Sequence, residues 1–133
     1  MAKAVKTVAA GKRVAVVTGA ASGIGRATLD MLLAKGWRVA ALDRDEAALS
    51  EVRTTFGKSA DVMAMAVDVC DEPGVERTIK DVVAHFGRLD GVVNSAGIAA
   101  DIPAMDTPVD LFKRILDVNV IGSFIVARAA DAP

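Results

Sequence analysis

The sequence predicts one α/β domain built on a parallel β-sheet, and two observations carry this prediction. Short runs that are apolar at nearly every position alternate with amphipathic helical patterns along the chain, as expected for strands buried on both faces. Each run is followed by a helical pattern, so the order is βαβαβαβ and then helix, which favours right-handed crossovers between parallel strands. The length of 133 residues suits a single domain of this kind.

The predicted strands are four apolar runs. They cover residues 13–18, 38–43, 62–67 and 89–93. The first reads Val14-Ala15-Val16-Val17 at its centre, and the second reads Val39-Ala40-Ala41-Leu42. Runs of this length without polar interruptions are typical of strands in the interior of a parallel sheet.

Helical patterns follow the first two strands. A helix over about residues 23–35 is expected to end at Gly36, since glycine readily takes the left-handed conformation that closes a helix. The second helix has an apolar face and is preceded by Asp45, whose carboxylate can cap its first turn. That apolar face consists of Leu49, Val52 and Phe56.

The third helix has the clearest periodicity. Its apolar residues fall at i, i+4, i+7, i+8 and i+11, which places them on one stripe. Asp71 is predicted to cap its start and Gly87 to end it. The stripe consists of Val75, Ile79, Val82, Val83 and Phe86.

A helix start follows the fourth strand after a short loop. Thr107 is predicted as the cap, with Pro108 at the first helical position and an acid, Asp110, at the third. A further apolar helix is predicted over about residues 119–130. The apolar face after Asp110 consists of Leu111, Phe112, Ile115 and Leu116.

Composition excludes several classes of function. Apolar residues make up 53% of the chain and charged residues 25%, as in soluble globular proteins. Because 16 basic and 17 acidic residues nearly cancel and no basic run occurs, we expect no nucleic-acid partner. No apolar run is long enough to cross a bilayer and no signal-peptide pattern is present, so we expect no membrane partner.

Three further expectations concern the tail, the cysteine and metals. Residues 1–12 carry three lysines and no periodic pattern, and are predicted to be a flexible tail. Cys70 is the one cysteine, which excludes an internal disulfide and fits a cytoplasmic setting. No metal site is predicted.

A glycine-rich loop joins the first strand to the first helix. It reads Thr18-Gly19-Ala20-Ala21-Ser22-Gly23-Ile24-Gly25. Its glycines let the backbone turn tightly and approach a pyrophosphate, and the helix that follows directs N–H groups toward an anion. The loop lacks the Gly-Lys-Ser/Thr ending of an ATP or GTP site. Its place in a βαβ unit therefore predicts a dinucleotide site, with a plain strand-to-helix turn as the alternative.

Asp43 ends the second predicted strand. A carboxylate at this position can accept hydrogen bonds from the ribose hydroxyls of an adenosine, and it would repel a 2′-phosphate. An ordinary role as a helix cap is the alternative, although Asp45 lies nearer the helical pattern. Arg44 could instead hold a 2′-phosphate. The pattern favours NAD, with NADP as the alternative.

These motifs stand in an order that resembles the short-chain dehydrogenases/reductases. Thr18-Gly19-x-x-x-Gly23-Ile24-Gly25 looks like the family's cofactor loop, and Asp68-Val69 matches the pair beside the adenine. Asn94-Ser95-Ala96-Gly97 resembles the family's Asn-Asn-Ala-Gly, with Ser95 in place of the second Asn. Val118-Asn119-Val120-x-Gly122-x-Phe124 resembles its Val-Asn-x-x-Gly-x-Phe. The resemblance extends over about residues 13–130.

The resemblance implies a Rossmann-like, doubly wound parallel sheet with strands in the order 3-2-1-4, the remainder of the family's sheet being missing. It also implies that residues 13–133 form an incomplete NAD(P)-binding domain. NAD is favoured further because Ser22 stands where NADP-preferring relatives often carry a basic residue. The implied cofactor-binding residues are Gly19, Ser22, Gly23, Ile24, Gly25, Asp43, Arg44, Asp68, Val69, Asn94, Ala96 and Gly97.

The resemblance also implies an activity, which is hydride transfer between a nicotinamide cofactor and an alcohol or ketone, in a homo-oligomer. Of the family's catalytic Asn, Ser, Tyr and Lys, only Asn119 is present, in a supporting role, and the sequence contains no tyrosine. The Ser and the Tyr-x-x-x-Lys would lie beyond Pro133. We therefore expect these 133 residues alone to be inactive. The alternatives to an oxidoreductase are a dinucleotide-binding half-domain and a truncated product without catalytic activity. His85 is expected on the surface, and Cys70 and Trp37 in packing roles.

Overall fold

A computed structural model describes residues 11–132, and its centre is a parallel sheet of four strands. The strands lie in the order β3-β2-β1-β4, so the predicted Rossmann-like arrangement is confirmed. The predicted tail, residues 1–12, lies outside the described residues except for Gly11 and Lys12. The strands are β1 (Val14–Thr18), β2 (Arg38–Asp43), β3 (Val62–Ala66) and β4 (Gly91–Val93).

Helices connect the strands and follow the last one. Among residues 11–132, none of these helices is both long enough and apolar enough to cross a bilayer. After β4 come a short 3-10 turn (Ala104–Asp106), α4, a π-helical turn (Asp117–Gly122) and α5, the last three forming one continuous helical segment. The α-helices are α1 (Gly23–Ala34), α2 (Glu46–Phe56), α3 (Glu72–Phe86), α4 (Val109–Leu116) and α5 (Ser123–Asp131).

Local hydrogen bonds fix the ends of the helices. Asp45 Oδ1 accepts from the N–H of Ala48 at 3.0 Å, and Asp71 Oδ1 accepts from the N–H of Gly74 at 3.2 Å. Gly87 follows α3 with φ +80°, a left-handed conformation that favours glycine. The predicted caps of α2 and α3 and the predicted end of α3 are therefore confirmed.

The predicted cap at Thr107 is wrong. The helix α4 begins at Val109, with Pro108 as the residue before it, and no side chain caps it. The Thr107 hydroxyl donates instead to the Pro103 carbonyl oxygen at 3.0 Å. It does so because the 3-10 turn at Ala104–Asp106 brings that carbonyl within reach.

Both faces of the sheet are covered by apolar side chains. On one face Val16 and Leu42 pack in a core with α3 and α5, and on the other Val17 and Ala41 pack in a core with α1 and α2. Strand β1 is buried throughout, as its apolar run predicts. The helices thus lie on both sides of the sheet, which is the doubly wound arrangement.

Two predicted helix faces are only partly buried. Val83 on α3 is 40% exposed, and on α4 Phe112 is 55% and Leu116 is 41% exposed. A helical period identifies an apolar face, but it does not state whether another element of the same chain covers that face. These side chains therefore remain a surface of the described structure.

An aspartate anchors the start of β4 to the start of β1. The carboxylate of Asp90 accepts hydrogen bonds from the N–H of Val14 at 2.8 Å and from Arg88 Nε at 2.7 Å. The N–H of Asp90 in turn donates to the Val14 carbonyl oxygen at 2.8 Å. The hydrogen bond from Arg88 outweighs the opposing effect of burial and lowers the pKa of the Asp90 carboxyl below its ordinary value of 3.8.

Candidate functional site

A cleft of about 420 Å³ opens at the carboxyl ends of the strands. Its walls come from the segments that follow all four strands, where ligands bind in open α/β sheets. The cleft brings together most of the residues predicted from the sequence. Those that line it are Gly19, Ser22, Gly23, Ile24, Asp43, Arg44, Asp68, Val69, Ala96 and Gly97.

Two predicted residues do not line the cleft and serve the framework instead. Gly25 is buried, and a Cβ on it would lie 2.1 Å from the Gly19 carbonyl oxygen. Asn94 Nδ2 donates to the Ser123 carbonyl oxygen at 3.3 Å, which links the β4 loop to α5. These positions shape the walls, and the structure gives them no place on the cleft surface.

The cleft also has lining residues that sequence reasoning missed. Most of them are direct neighbours of predicted residues, so extending each motif by one or two positions would have found them. Val118 belongs to the same motif as Asn119 but was not assigned to the cofactor, and Ala48 lies in the first turn of α2, where no local signal marks it. The missed residues are Ala21, Leu42, Asp45, Ala48, Val67, Ser95, Ile98 and Val118.

The glycine loop has the backbone conformation that glycines permit. Gly19 has φ +62° and Gly23 has φ +54°, both in the left-handed region. A Cβ on Gly19 would lie 3.0 Å from the backbone of Ala96, so this glycine lets the loops after β1 and β4 approach each other. Gly23 lines the cleft, and a Cβ there would meet no described atom within 4 Å. The open space beside Gly23 fits a ligand group that approaches the backbone closely.

The start of α1 gives this part of the cleft an affinity for anions. The N–H of Arg26 donates to the Ser22 carbonyl oxygen at 3.1 Å, which is the first bond of the helix. N–H groups ahead of that bond have no partner inside a helix. They carry the positive end of the helix dipole, so a pyrophosphate group is the chemistry that this end of the cleft suits.

Asp43 is half-buried at the end of β2, beside the glycine loop. Its Oδ2 accepts from the N–H of Ala21 at 3.0 Å, and its Oδ1 accepts from the N–H of Asp45 at 3.0 Å. Since Asp45 caps α2, Asp43 does not hold the helix end directly. An ionised carboxylate has about four acceptor sites, so Asp43 retains acceptor capacity toward the cleft. Arg44, next to it, is exposed and also lines the cleft.

Beyond β3, Asp68 and Val69 form another part of the wall. Asp68 Oδ1 accepts from the N–H of Cys70 at 2.9 Å, which fixes the turn into α3. Cys70 packs against the apolar core, and burial, followed by the nearby Asp68 carboxylate, raises the pKa of its thiol above 9.0. A neutral, packed thiol is a poor nucleophile, so the expected packing role of Cys70 fits the structure.

A buried hydroxyl, whose partners the sequence did not predict, joins the loops that follow β1 and β4. Thr18, 1% exposed, ends β1, and its Oγ1 accepts from the N–H groups of Ser95 at 3.1 Å and Ala96 at 3.0 Å. Thr18 thereby holds the loop after β4 against the loop after β1, so the cleft walls form one framework.

Asn119 lies in the π-helical turn, and its side-chain amide faces the β4 loop. Its Oδ1 accepts from the N–H of Ile98 at 2.8 Å, and its Nδ2 donates to the Ile98 carbonyl oxygen at 2.9 Å. A Cβ on Gly97 would lie 3.2 Å from that Oδ1. The predicted supporting residue thus fixes the edge of the cleft formed by Gly97 and Ile98.

Residues expected to lie away from the site do so. His85 is exposed on the last turn of α3, with its ring edge-on to Phe86 at 4.7 Å between centroids. Trp37 packs before β2, and the guanidinium of Arg13 lies 5.3 Å from its ring centroid. Within residues 11–132, no three His, Cys, Asp or Glu side chains are grouped so that they could hold a metal ion.

Comparison with known proteins gives consistent matches. A family model described as short chain dehydrogenase matches residues 13–132. The 2-(R)-hydroxypropyl-CoM dehydrogenase of Xanthobacter autotrophicus is 43% identical over 122 residues, which cover 88% of this chain and 49% of that protein. The D-threitol dehydrogenase of Mycolicibacterium smegmatis is 36% identical over 118 residues, 88% of this chain and 45% of that protein.

The fold matches solved structures over the same stretch. The 3-ketoacyl-(acyl-carrier-protein) reductase from Brucella melitensis, complexed with NADH, superposes with a TM-score of 0.82 at 32% identity, covering 87% of this chain and 47% of that one. The chain therefore spans about half the length of the relatives it matches.

Proposed function

Because the chain belongs to the short-chain dehydrogenase family, we propose that it contributes the cofactor-binding part of an oxidoreductase that uses NAD. The reaction is hydride transfer between the nicotinamide of the cofactor and a small-molecule alcohol or ketone. Residues 13–133 act as one nucleotide-binding domain in this proposal. The relatives whose names state dehydrogenase or reductase support the reaction class.

One observation carries the proposal. A single cleft runs past the ends of β2, β1 and β4, and it joins an acid, an anion-binding helix start and a glycine-containing loop in that spatial order. A dinucleotide has the matching sequence of parts, which are a ribose with hydroxyls, a pyrophosphate and a second ribose with its base. The cleft offers each of these parts a suitable neighbour.

The chain's own groups divide the binding work. Asp43 accepts hydrogen bonds from the adenosine ribose, and Asp68 and Val69 lie beside the adenine. The backbone of Gly23 and the start of α1 receive the pyrophosphate. Ala96, Gly97 and Ile98, held by Thr18 and Asn119, border the nicotinamide end. When bound, the nicotinamide gives or accepts the hydride, and these residues orient it.

The cofactor preference in this proposal is NAD over NADP. The Asp43 carboxylate is held at the cleft by two backbone N–H groups, so an added 2′-phosphate would meet a fixed negative charge. Ser22 brings no positive charge to offset it. Arg44 is the residue through which NADP would bind if this preference were wrong.

Calorimetric titration of the intact protein with NADH and NADPH tests the proposal. We expect NADH to bind about ten- to a hundredfold more tightly, because hydrogen bonds to a charged group contribute about 1.5–3 kcal/mol. Replacing Asp43 with Ser should reduce the difference in affinity between NADH and NADPH. Equal or tighter binding of NADPH would contradict the preference, and the absence of binding by either would contradict the site.

The proposal extends to the setting and assembly of the protein. Cys70 is a free thiol in the core, as in proteins of a reducing cytoplasm. The exposed apolar side chains of the continuous segment from α4 to α5 support a homo-oligomer. They include Val109, Phe112, Leu116, Val120 and Phe124.

Binding of a dinucleotide without turnover is the second candidate function. The observation that favours it is the absence of tyrosine from all 133 residues, since the family's proton-transferring group is a tyrosine. An assay of alcohol oxidation by the intact protein with NAD separates the two. Turnover supports the enzyme, and cofactor binding without turnover supports the binding module.

A further inference from the structure

We propose that Asp43 positions the glycine loop, and that this role affects phosphate binding independently of any contact with the ribose. The proposal rests on the proposed function, because it concerns the same cofactor cleft. It assigns to one carboxylate both the recognition of a sugar and the conformation of the loop that receives the pyrophosphate.

The geometry at the end of β2 carries this inference. Two hydrogen bonds tie the loop after β1 to this strand end: the N–H of Ala20 donates to the Leu42 carbonyl oxygen at 3.0 Å, and the N–H of Ala21 donates to Asp43 Oδ2 at 3.0 Å. The first is a backbone bond that continues the pairing of β1 with β2. The second depends on a side chain, so substitution at Asp43 can remove it.

The position of Ala21 makes this bond important for the shape of the loop. Ala21 lies between two residues in the left-handed conformation, Gly19 at φ +62° and Gly23 at φ +54°. Glycine can adopt many backbone conformations, so a loop that contains two glycines needs a fixed point between them to hold one conformation. Ala20 and Ala21 supply two such points, and the one at Ala21 depends on Asp43 and lies within the cleft lining.

The second oxygen of Asp43 holds the carboxylate in place. Oδ1 accepts from the N–H of Asp45 at 3.0 Å, and Asp45 caps α2 through the N–H of Ala48. The carboxylate therefore connects the start of α2 to the glycine loop ahead of α1. Removing the carboxylate leaves the bond from Ala20 to Leu42 in place but releases Ala21, so the stretch from Ala21 to the start of α1 is held less firmly toward the phosphates.

The experiment compares ADP with 2′,3′-dideoxy-ADP, which keeps the adenine and the two phosphates but has no ribose hydroxyls. Both are titrated calorimetrically into the intact protein and into its Asp43→Ala, Asp43→Asn and Asp71→Ala variants. Amide hydrogen exchange at Ala21 is measured in the same proteins without nucleotide. Asp71→Ala is the matched control, because it removes an aspartate-to-backbone bond at α3, outside the cleft.

We expect Asp43→Ala to weaken dideoxy-ADP binding about tenfold and to speed exchange at Ala21 about tenfold, as befits the loss of a hydrogen bond to a charged group. Asp43→Asn keeps one acceptor oxygen, which can serve Ala21 or Asp45 but not both, and should recover only part of both effects. Asp71→Ala should leave both readouts unchanged, even though it removes a helix cap.

Two results would overturn the proposal. One is an Asp43→Ala variant that loses affinity for ADP but keeps its affinity for dideoxy-ADP, because Asp43 would then contact only the ribose. The other is an unchanged exchange rate at Ala21. If the unsubstituted protein bound neither nucleotide, the proposed function would fail, while exchange at Ala21 would still decide whether Asp43 holds the loop.

Discussion

At the scale of single residues, the three glycines of the loop after β1 meet different constraints. Gly25 has no room for a side chain, because a Cβ would lie 2.1 Å from the Gly19 carbonyl oxygen. Gly23 has room but needs φ +54°, and Gly19 combines a φ of +62° with a close neighbour in Ala96. In the spacing Gly-x-x-x-Gly-x-Gly, Gly25 is thus required by close packing, whereas Gly19 and Gly23 are required by their left-handed backbone conformation.

Gly25→Ala should destabilise the protein by about 3 kcal/mol, because the added methyl group forces the start of α1 away from the loop. Urea unfolding followed by circular dichroism measures the change. The matched control is Gly23→Ala, where strain at a left-handed residue costs about 1–2 kcal/mol and no atom is displaced. If the Gly25 variant were no less stable than the Gly23 variant, the crowding at Gly25 would not matter.

At the scale of the structural elements, Asp90 shows how a charged side chain sets the register of a short strand. β4 has three residues, and its pairing with β1 begins next to Asp90, whose carboxylate accepts a hydrogen bond from the N–H of Val14. The hydrogen bond from Arg88 lowers the pKa of the carboxyl. When the pKa of a carboxyl is lower in the folded than in the unfolded chain, its ionisation stabilises the fold at pH values above the unfolded-state pKa. That stability is lost as the pH falls through the folded-state pKa.

Acid should therefore reveal the contribution of Asp90. We expect Asp90→Asn to lower the free energy of unfolding by about 1 kcal/mol at pH 7, a discounted figure because the pair is partly solvated. Below pH 3.8 the difference between the two proteins should shrink as the carboxyl takes up a proton. Urea unfolding at pH 7 and at progressively lower pH gives the comparison. A difference that did not change with pH would mean that the charge contributes nothing.

Interactions within a few residues of each other were predictable from the sequence, and those between distant segments were not. Asp45 and Asp71 bond to N–H groups three residues ahead, so a capping pattern identifies both. Thr18 bonds to residues 77 and 78 positions away, and no local pattern records such a pairing. Thr107 does not cap α4, because its hydroxyl donates to the Pro103 carbonyl oxygen in the neighbouring turn.

The candidate site followed the same division. Most of the predicted residues line one cleft, because each motif lies at a strand end and the parallel sheet brings those ends together. Gly25 and Asn94 were predicted to bind the cofactor, and the structure shows them in contacts between segments, outside the lining of the cleft. A motif identifies a residue that a fold requires, but it does not separate contact with a ligand from support of the wall.

At the scale of the whole molecule, many of the exposed apolar side chains lie along the segment from α4 to α5. β4 is an edge strand of the described sheet, and Phe112, Val120 and Phe124 are 55%, 58% and 59% exposed along the segment from α4 to α5. Unpaired strand edges and contiguous apolar patches promote association. The edge of β4 and the segment from α4 to α5 are therefore suited to contact with another protein surface.

These 133 residues expressed alone should therefore self-associate. Because they contain no tyrosine, they should also show no alcohol oxidation. Light scattering measures the association, and an assay with NAD measures turnover. Replacing both Val120 and Phe124 with Glu should reduce the associated fraction severalfold, whereas Lys35→Glu, exposed at the end of α1 on the other face of the sheet, should not. A monodisperse monomer without the substitutions would refute the argument from exposed surface, and turnover by these residues would refute the expected inactivity.

The amide of Asn119 imitates a peptide group. It gives one hydrogen bond to Ile98 and takes one from it, as a residue of an adjacent strand would, although it belongs to a helical segment. Aspartate lacks the donor and glutamine is one methylene too long, so this mimicry by itself accounts for asparagine at the position. A protein that only stored a dinucleotide would need the same side chain. Asn119 thus has a structural role in the cleft wall in addition to the supporting role predicted for it.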